Sequence, residues 1–599
     1  MITTLTKSKA LLLKIMAPKK KHTSWVVWLR RFTQTFFLFL FFYLFIQTAY
    51  HPYNDVGGPV TFFFEIDPLV MTATFVAAHT IPAMLLLSLI TLGVTFIFGR
   101  WFCGWICPFG SLHNFFTSLR QRKVKNLIKQ GRFTRGQRIK YYILFLFLGG
   151  ALLGVNAVGW LDPFSFFYRS LATSIFPAIN WGFEAFFNWV YQADPSLGPL
   201  HATSITEPVY EKMQDLFLAT KQPAYAGGVL IGLLFSFIVA LNFYKARFWC
   251  RYICPLGAML GVVGKNPLVR IHKDAENCHK CNLCIADCQG GAEPQSDGGW
   301  KPSECFYCFN CVDACSTDAI TISISKPSFV KTSAKWITNF FKPPRAESIN
   351  LGRRKIIASG TGGVVGALLL NSHPLADSRT YNPALIRPPG SVEESDFLAK
   401  CIRCGECMKV CPTNGIQPAL LQAGLEGMWT PVMNMKLGYC EYECTLCSKV
   451  CPTDAIPILT MEERKPIKIG QAFFDPSRCL PYALATPCIV CEEHCPTSPK
   501  AIWVKEVEDI NSAGETVRLQ RPFVDPHRCI GCGICEHVCP LKDRSGIYVT
   551  SAGETRNKGN QFLLESGIPG MEMQDSSSSS SDPYGSSDSS GSSSSNSPY

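Results

Sequence analysis

Cys401-Ile-Arg-Cys404-Gly-Glu-Cys407-Met-Lys-Val-Cys411-Pro412 sets three thiols two residues apart and a fourth three residues further on, just ahead of a proline. Three more groups follow it: Cys440, Cys444, Cys447 and Cys451; Cys479, Cys488, Cys491 and Cys495; and Cys529, Cys532, Cys535 and Cys539. Each keeps the Cys-x2-Cys-x3-Cys-Pro ending, and the first and last have the full Cys-x2-Cys-x2-Cys-x3-Cys-Pro run. Three close thiolates suit three corners of an iron-sulfur cube, while the fourth, set off by its spacing and its proline, swings away to ligate a neighbouring cube. Zinc ribbons are the bland alternative, but they pair two Cys-x2-Cys knuckles across a longer spacer. The spacing therefore favours cubes over zinc, and a row of cubes is a wire.

Upstream stand two further quartets, Cys278, Cys281, Cys284 and Cys288, then Cys305, Cys308, Cys311 and Cys315. The expected exchange puts Cys315 with Cys278, Cys281 and Cys284, and Cys288 with Cys305, Cys308 and Cys311. Gln289 and Ser316 stand where the downstream quartets have proline. Within 401–539 both neighbouring and nested pairing satisfy the spacing, and the long first gaps, 440–444 and 479–488, mark the middle two quartets as a nested pair. Of the 28 cysteines, 24 fall in these six quartets and the other four in two Cys-x3-Cys-Pro motifs. None is left for a disulfide scaffold, and no Cys-x-x-Cys-His offers attachment for a c-type haem.

These thiols must be positioned by something, and hydropathy says what. Apolar runs at Phe32–Ala49, Ile81–Phe98, Tyr141–Leu161 and Ala226–Tyr244 are each close to the ~20 residues that span a bilayer. The segment 100–140 has ten Lys/Arg and no acid, and 245–273 has six and none, whereas 49–80 has three acids and no base. Basic loops stay in the cytoplasm, so both cysteine-bearing loops and the N-terminus lie inside. The net charge of +12 is thus a membrane-topology signal, and nucleic acid is not an expected partner. No histidine falls within the four runs, which disfavours a membrane haem with two histidine ligands.

The spans repeat as helix, Asp-Pro, helix, cysteine motif. Asp67-Pro68 answers to Asp162-Pro163, and Cys103-Gly-Trp-Ile-Cys107-Pro108 to Cys250-Arg-Tyr-Ile-Cys254-Pro255. Internal symmetry of this kind suggests two repeats facing each other. Four thiolates then converge at the inner face, and Cys103, Cys107, Cys250 and Cys254 are the candidate catalytic residues. They bind a seventh cluster or another metal, work as a dithiol relay, or pack as small apolar residues; the residues alone leave all three open. Glu65, Asp67 and Asp162, with His79, are expected at the outer interface as the quinone-binding group that takes up protons, against the bland reading of an Asp that caps a helix before proline. Phe62–Phe64 and Phe164–Tyr168 line a quinone pocket or form an interfacial belt.

Six segments follow: a basic cytoplasmic N-terminus (1–31), a four-helix membrane domain (32–270), a two-cluster domain (271–325), a linker with an apolar segment (326–390), a four-cluster domain (391–550) and a serine-rich disordered tail (551–599). Gly352-Arg353-Arg354-Lys355 before the apolar run Ile356–Leu370 reads as an internal twin-arginine export signal, placing the last cluster domain in the periplasm. Ala319–Ile324 and Ala501–Val504 read as strands beside the cubes. The fold class is membrane α-helical, four transmembrane helices in two repeats, plus α+β bacterial-type ferredoxin domains.

Residues about 25–325, with the two Cys-x3-Cys-Pro motifs and two quartets, resemble the NapH and MauN membrane proteins. Residues about 350–550, with the Arg-Arg segment and four quartets, resemble the NapG and MauM exported ferredoxins. The chain is similar to a fusion of the two. The resemblance implies a quinol dehydrogenase of the bacterial inner membrane that draws on the quinol pool and passes electrons through six [4Fe-4S] clusters to a periplasmic reductase, such as nitrate reductase, or to a cytochrome or ferredoxin acceptor. A second expectation, from another class, is a maturation or regulatory factor that donates electrons during assembly of a periplasmic metalloenzyme.

Overall fold

The computed structural model describes residues 25–49, 55–119, 124–194, 196–197, 200–201, 203–216, 223–274, 276–278, 280–294, 300–324, 352–371, 382–511 and 513–557. The expected basic leader up to residue 24, the linker stretch 325–351 and the serine tail from 558 onward lie outside the described residues.

Helix Trp25–Gln47 starts seven residues before the expected span, and it is the one described helix long and apolar enough to cross a membrane. Pro68–Ala78, Ala83–Phe98 and Gly228–Tyr244 are shorter apolar helices. The run expected as a single span over Tyr141–Leu161 is divided. Helix Ile139–Ala151 ends at its glycine pair, Val155 N–H turns back to the Gly150 carbonyl (3.3 Å), and a short 3-10 turn follows at Ala157–Trp160. Four expected spans thus become one long helix and several shorter apolar ones.

Hydropathy missed the helices that begin inside loops. Pro68–Ala78 and Pro163–Ser170 are capped by Asp67 and Asp162; Pro108–Ser118 and Pro255–Val263 are capped by Cys107 and Cys254. Each has proline at the first helical position, where its missing N–H costs nothing and its φ is already helical. Each cap side chain accepts backbone N–H groups that the first turn leaves over. Pro163–Ser170 continues through a π-turn, Leu171–Ile175, into Phe176–Ala193.

Phe63, Phe64, Phe164, Phe166, Phe167 and Tyr168 are all buried at the centre of the bundle. Phe41 stacks on Phe167 (4.8 Å between centroids), and Phe166 stacks on Trp249 (5.0 Å). These rings are core packing, not an interfacial belt.

Two small modules cap the bundle. In the first, strands Val269–Lys273 and Ile320–Ile324 pair antiparallel and bracket both upstream quartets. In the second, Gln471–Phe474 pairs with Ile547–Thr550, Ile502–Ile510 with Thr516–Val524, and Ile416–Pro418 with Pro431–Met433. Both strands read from the sequence are present. The modules sit at opposite ends of the same helix: Lys140, near the start of Ile139–Ala151, binds Glu304 of the first module, and Ala151, at its end, packs on Ala399 of the second.

The apolar segment after the arginine pair forms helix Arg353–Asn371, which lies along Ile139–Ala151. A Cβ on Gly149 would stand 2.3 Å from the Gly360 carbonyl oxygen, and one on Gly363 would stand 1.9 Å from that of Leu146. Only glycine allows these backbones to touch, as small residues do between apolar helices. Gly363→Leu is expected to lower stability by about 1–3 kcal/mol through overpacking, while Gly366→Leu, with open space around it, leaves the melting midpoint of the detergent-solubilised protein unchanged.

Candidate iron-sulfur sites and the buried carboxyl pair

Four cavities of about 320–350 Å³ are each lined by four cysteines. The sets are Cys288, Cys305, Cys308 and Cys311; Cys411, Cys440, Cys444 and Cys447; Cys479, Cys488, Cys491 and Cys539; and Cys495, Cys529, Cys532 and Cys535. Around Cys284, Cys278, Cys281 and Cys315 lie within electrostatic reach, as do Cys401, Cys404 and Cys451 around Cys407. Every quartet therefore lends its fourth cysteine to the adjacent quartet. The nested pairing favoured by the long gaps does not occur, because the sheet of Gln471–Phe474 with Ile547–Thr550 encloses the third and fourth downstream quartets as one unit. The long 479–488 gap is taken up by the helical turn Leu480–Ala483.

The donor sets fit a polynuclear cluster. Among the described residues no three His, Cys, Asp or Glu side chains close on a single ion. The thiols instead surround a volume, as an all-sulfur iron cluster requires and a tetrahedral zinc does not. Burial pushes the Cys444, Cys491 and Cys532 thiols up to about 12, so iron must displace their protons on binding. Backbone N–H groups of Tyr307, Ala292 and Gly546 donate to the sulfurs of Cys305, Cys288 and Cys539 (3.4, 3.3 and 3.4 Å), and Arg464 Nη2 donates to Cys440 Sγ (3.1 Å). Such donors favour the thiolate and tune a cluster's potential.

The two repeats bring Cys103, Cys107, Cys250 and Cys254 together, all buried; Cys107 is within electrostatic reach of Cys103 and Cys250, and Cys254 of all three others. Their symmetry extends to atoms: Gly110 N–H donates to Cys107 Sγ (3.4 Å) and Gly257 N–H to Cys254 Sγ (3.3 Å). It also includes two arginines that the motif reading passed over. Arg100 and Arg247 stand three residues before Cys103 and Cys250, and each crosses to the other repeat. Arg100 Nη2 donates to the Cys250 carbonyl (3.3 Å), and Arg247 Nη1 to that of Cys103 (3.4 Å). The matching offset in the two motifs was the available signal.

Asp67 and Asp162 lie fully buried inside the bundle rather than at its rim. Both are helix caps. Asp67 Oδ1 accepts from Leu69 N–H (2.7 Å) and Val70 N–H (3.4 Å), and Asp162 Oδ2 from Phe164 N–H (3.1 Å) and Ser165 N–H (2.8 Å). Cap and candidate acid are thus the same residues. The other oxygens, Asp67 Oδ2 and Asp162 Oδ1, find no N–H or hydroxyl donor, and the two carboxyls lie within hydrogen-bonding reach of each other. Glu65, also buried, accepts from Thr61 Oγ1 (2.5 Å) and faces Glu406 of the second module, whose two carboxyl oxygens are without donors. His79 is the C-cap of Pro68–Ala78 and exposed, so the structure does not bring it to this group.

Arg169 connects this centre to the second module. It donates to the Gly159 carbonyl (3.2 Å) and the Arg403 carbonyl (2.7 Å), and has Asp162, Cys401 and Cys404 within electrostatic reach. Arg403 in turn donates to the carbonyls of Asn156, Glu426 and Met428. Neither arginine could be singled out from spacing, since both act through contacts distant in sequence.

Thiol-lined cavities of this kind define an iron-sulfur electron-transfer protein. Models described as 4Fe-4S binding domain match residues 80–126, 226–274 and 522–542, and a 4Fe-4S dicluster domain matches 400–455. The chain is 32% identical over 207 residues to the methylamine utilization ferredoxin-type protein MauM of Methylobacillus flagellatus, covering 34% of this chain and 82% of that one. It is 35% identical over 158 residues to the ferredoxin-type protein NapG of Escherichia coli (26% and 67%), and 26% identical over 278 residues to NapH of the same organism (44% and 77%). No solved structure was found to match. The chain belongs to the MauM/NapG family of ferredoxin-type proteins and joins to it a NapH-like part, a NapH/NapG-like fusion.

The adjacent pairing makes a quantitative test. Combining Cys411→Ala with Cys440→Ala should remove the iron and sulfide of one cluster, since both residues line one cavity, whereas Cys411→Ala with Cys404→Ala should remove those of two. Equal losses from the two double variants would contradict the pairing.

Proposed function

We propose that the protein is a multi-pass quinol dehydrogenase of the bacterial inner membrane, with its first module in the cytoplasm and its second in the periplasm, that moves electrons from the quinol pool to a periplasmic acceptor such as a nitrate reductase. The observation that carries this reading is the position of the two modules at opposite ends of helix Ile139–Ala151, Glu304 at Lys140 and Ala399 at Ala151, with the four thiols and the carboxyl pair in the bundle between them. The basic segments 100–140 and 245–273 lead into the end that holds the first module, which agrees with a cytoplasmic side there.

The six quartets would hold six [4Fe-4S] clusters, which when bound supply one-electron carriers of tunable potential. The chain's own residues have other tasks. A hydroquinone that is oxidised to the quinone releases two electrons and two protons. Asp67 and Asp162, sharing one proton between oxygens that the helix caps leave over, and Glu65 beside Glu406, are the acceptors available for those protons. The aromatic core excludes water from the pair and so keeps its proton uptake tied to the substrate. Cys103, Cys107, Cys250 and Cys254 form the redox-active group at the other end, where Arg100 and Arg247 tie the two motifs together through the Cys250 and Cys103 carbonyls.

Anaerobically purified protein titrated with menaquinol or ubiquinol tests this directly: the clusters should become reduced, and protein that stays oxidised in both would sink the quinol reading. Asp67→Asn with Asp162→Asn is expected to slow quinol-driven reduction by about 10²–10⁴-fold, the usual worth of a positioned proton acceptor, while reduction by dithionite proceeds at the wild-type rate.

A further inference from the structure

The side chain that joins the first module to the bundle is Phe306, between Cys305 and Cys308, and it is almost wholly buried. Arg100 and Arg247, one from each repeat, lie against its ring, with guanidinium carbons 4.8 and 5.1 Å from the centroid. The same two arginines reach across to the Cys250 and Cys103 carbonyls, so the ring sits where the two repeats are tied together. Backbone closes on backbone beside it. A Cβ on Gly104, next to Cys103, would stand 2.2 Å from the Phe306 carbonyl oxygen. From the opposite side Gln34 Nε2 of helix Trp25–Gln47 holds the Gly104 carbonyl (2.6 Å), and Trp105 Nε1 donates to the Tyr307 carbonyl (2.9 Å). Next to Cys305, Glu304 is fixed by Lys140 (2.5 Å), Tyr141 (2.8 Å) and Gln137 (3.0 Å). Gly104, next to Cys103, is therefore in backbone contact with Phe306, next to Cys305.

We propose that Phe306, gripped by Arg100 and Arg247, is a positioning residue that sets the approach of the cavity lined by Cys288, Cys305, Cys308 and Cys311 to the four thiols of the bundle, and makes that cavity's cluster their direct redox partner. Cation–π contact with desolvated guanidinium groups fixes the ring, and the missing side chain at Gly104 fixes the distance. Hydroquinone, the reductant, becomes quinone and releases two protons to the buried carboxyls; its two electrons leave through the four-thiol site one at a time, each reducing one oxidised cluster of the first module, with no atom transferred. The proposal rests on the quinol reading for its electron source, but not for its geometry.

The test uses the full-length protein in detergent with two variants, Gly104→Ala, which pushes the module away, and Phe306→Leu, which keeps an apolar side chain but removes the ring face. Two readouts are taken at unchanged iron and sulfide content: the rate at which quinol reduces the first module's clusters, followed by rapid-freeze electron paramagnetic resonance, and deuterium uptake over residues 303–308. A displacement on the order of 1 Å should slow quinol-driven reduction at least about tenfold, leave dithionite reduction unaltered and raise deuterium uptake in Gly104→Ala. Wild-type rate and wild-type uptake in both iron-replete variants would overturn the proposal. If quinol reduces nothing even in the wild type, the quinol reading falls, and the uptake comparison alone decides the docking: faster exchange upholds it and unchanged exchange overturns it.

Discussion

Burying Glu304 is the condition on which the rest of the architecture depends. A carboxylate removed entirely from water is stable only where charge and hydrogen bonds replace its hydration. Here Lys140, Arg100, Gln137 and Tyr141 do so from three elements of the bundle. The same Arg100 then reaches the Cys250 carbonyl, so the anchoring of a cluster loop and the joining of the two repeats share one guanidinium group. Neither could be loosened alone.

The second end of the bundle solves the same problem differently. Arg403 and Arg169 insert among backbone carbonyls, whose oxygens accept all their hydrogen bonds, with no direct carboxylate ion pair among the described residues such as Lys140 makes with Glu304. Trp429 covers the Arg169 guanidinium at 4.5 Å and Trp160 covers that of Arg403 at 5.6 Å, so each cation also has an aromatic face. Cationic plugs at both ends suit a molecule whose thiolate sets carry negative charge close by.

Much of the candidate site was legible because cysteine spacing is a local property. All 24 quartet cysteines and the four bundle cysteines could be named from the chain, and alternation marked the strands at 319–324 and 501–504, the second of which runs on to Ile510. What spacing could not supply was partnership. Adjacent and nested exchange look alike along the chain, and only the strand that closes over Cys479 and Cys539 separates them. Hydropathy found apolar runs but not the helices begun by Asp67, Cys107, Asp162 and Cys254, since each is too short to dominate a window and its cue is a capping residue before proline. Glu65, Asp67 and Asp162 were visible as acids, yet the meeting of Asp67 with Asp162 depends on two repeats folding onto each other, and that of Glu65 with Glu406 on the docking of the second module. Phe306 and Glu304 gave no local cue at all.

Helix Arg353–Asn371 has a further consequence for assembly. By lying along Ile139–Ala151 as part of one polypeptide, it fixes the stoichiometry of the two cluster modules at one to one. Two separate subunits would have to find each other by diffusion, whereas a covalent tether replaces that encounter with an effective concentration on the order of millimolar. Every copy of the chain therefore carries both cluster modules, however scarce the protein is in the cell.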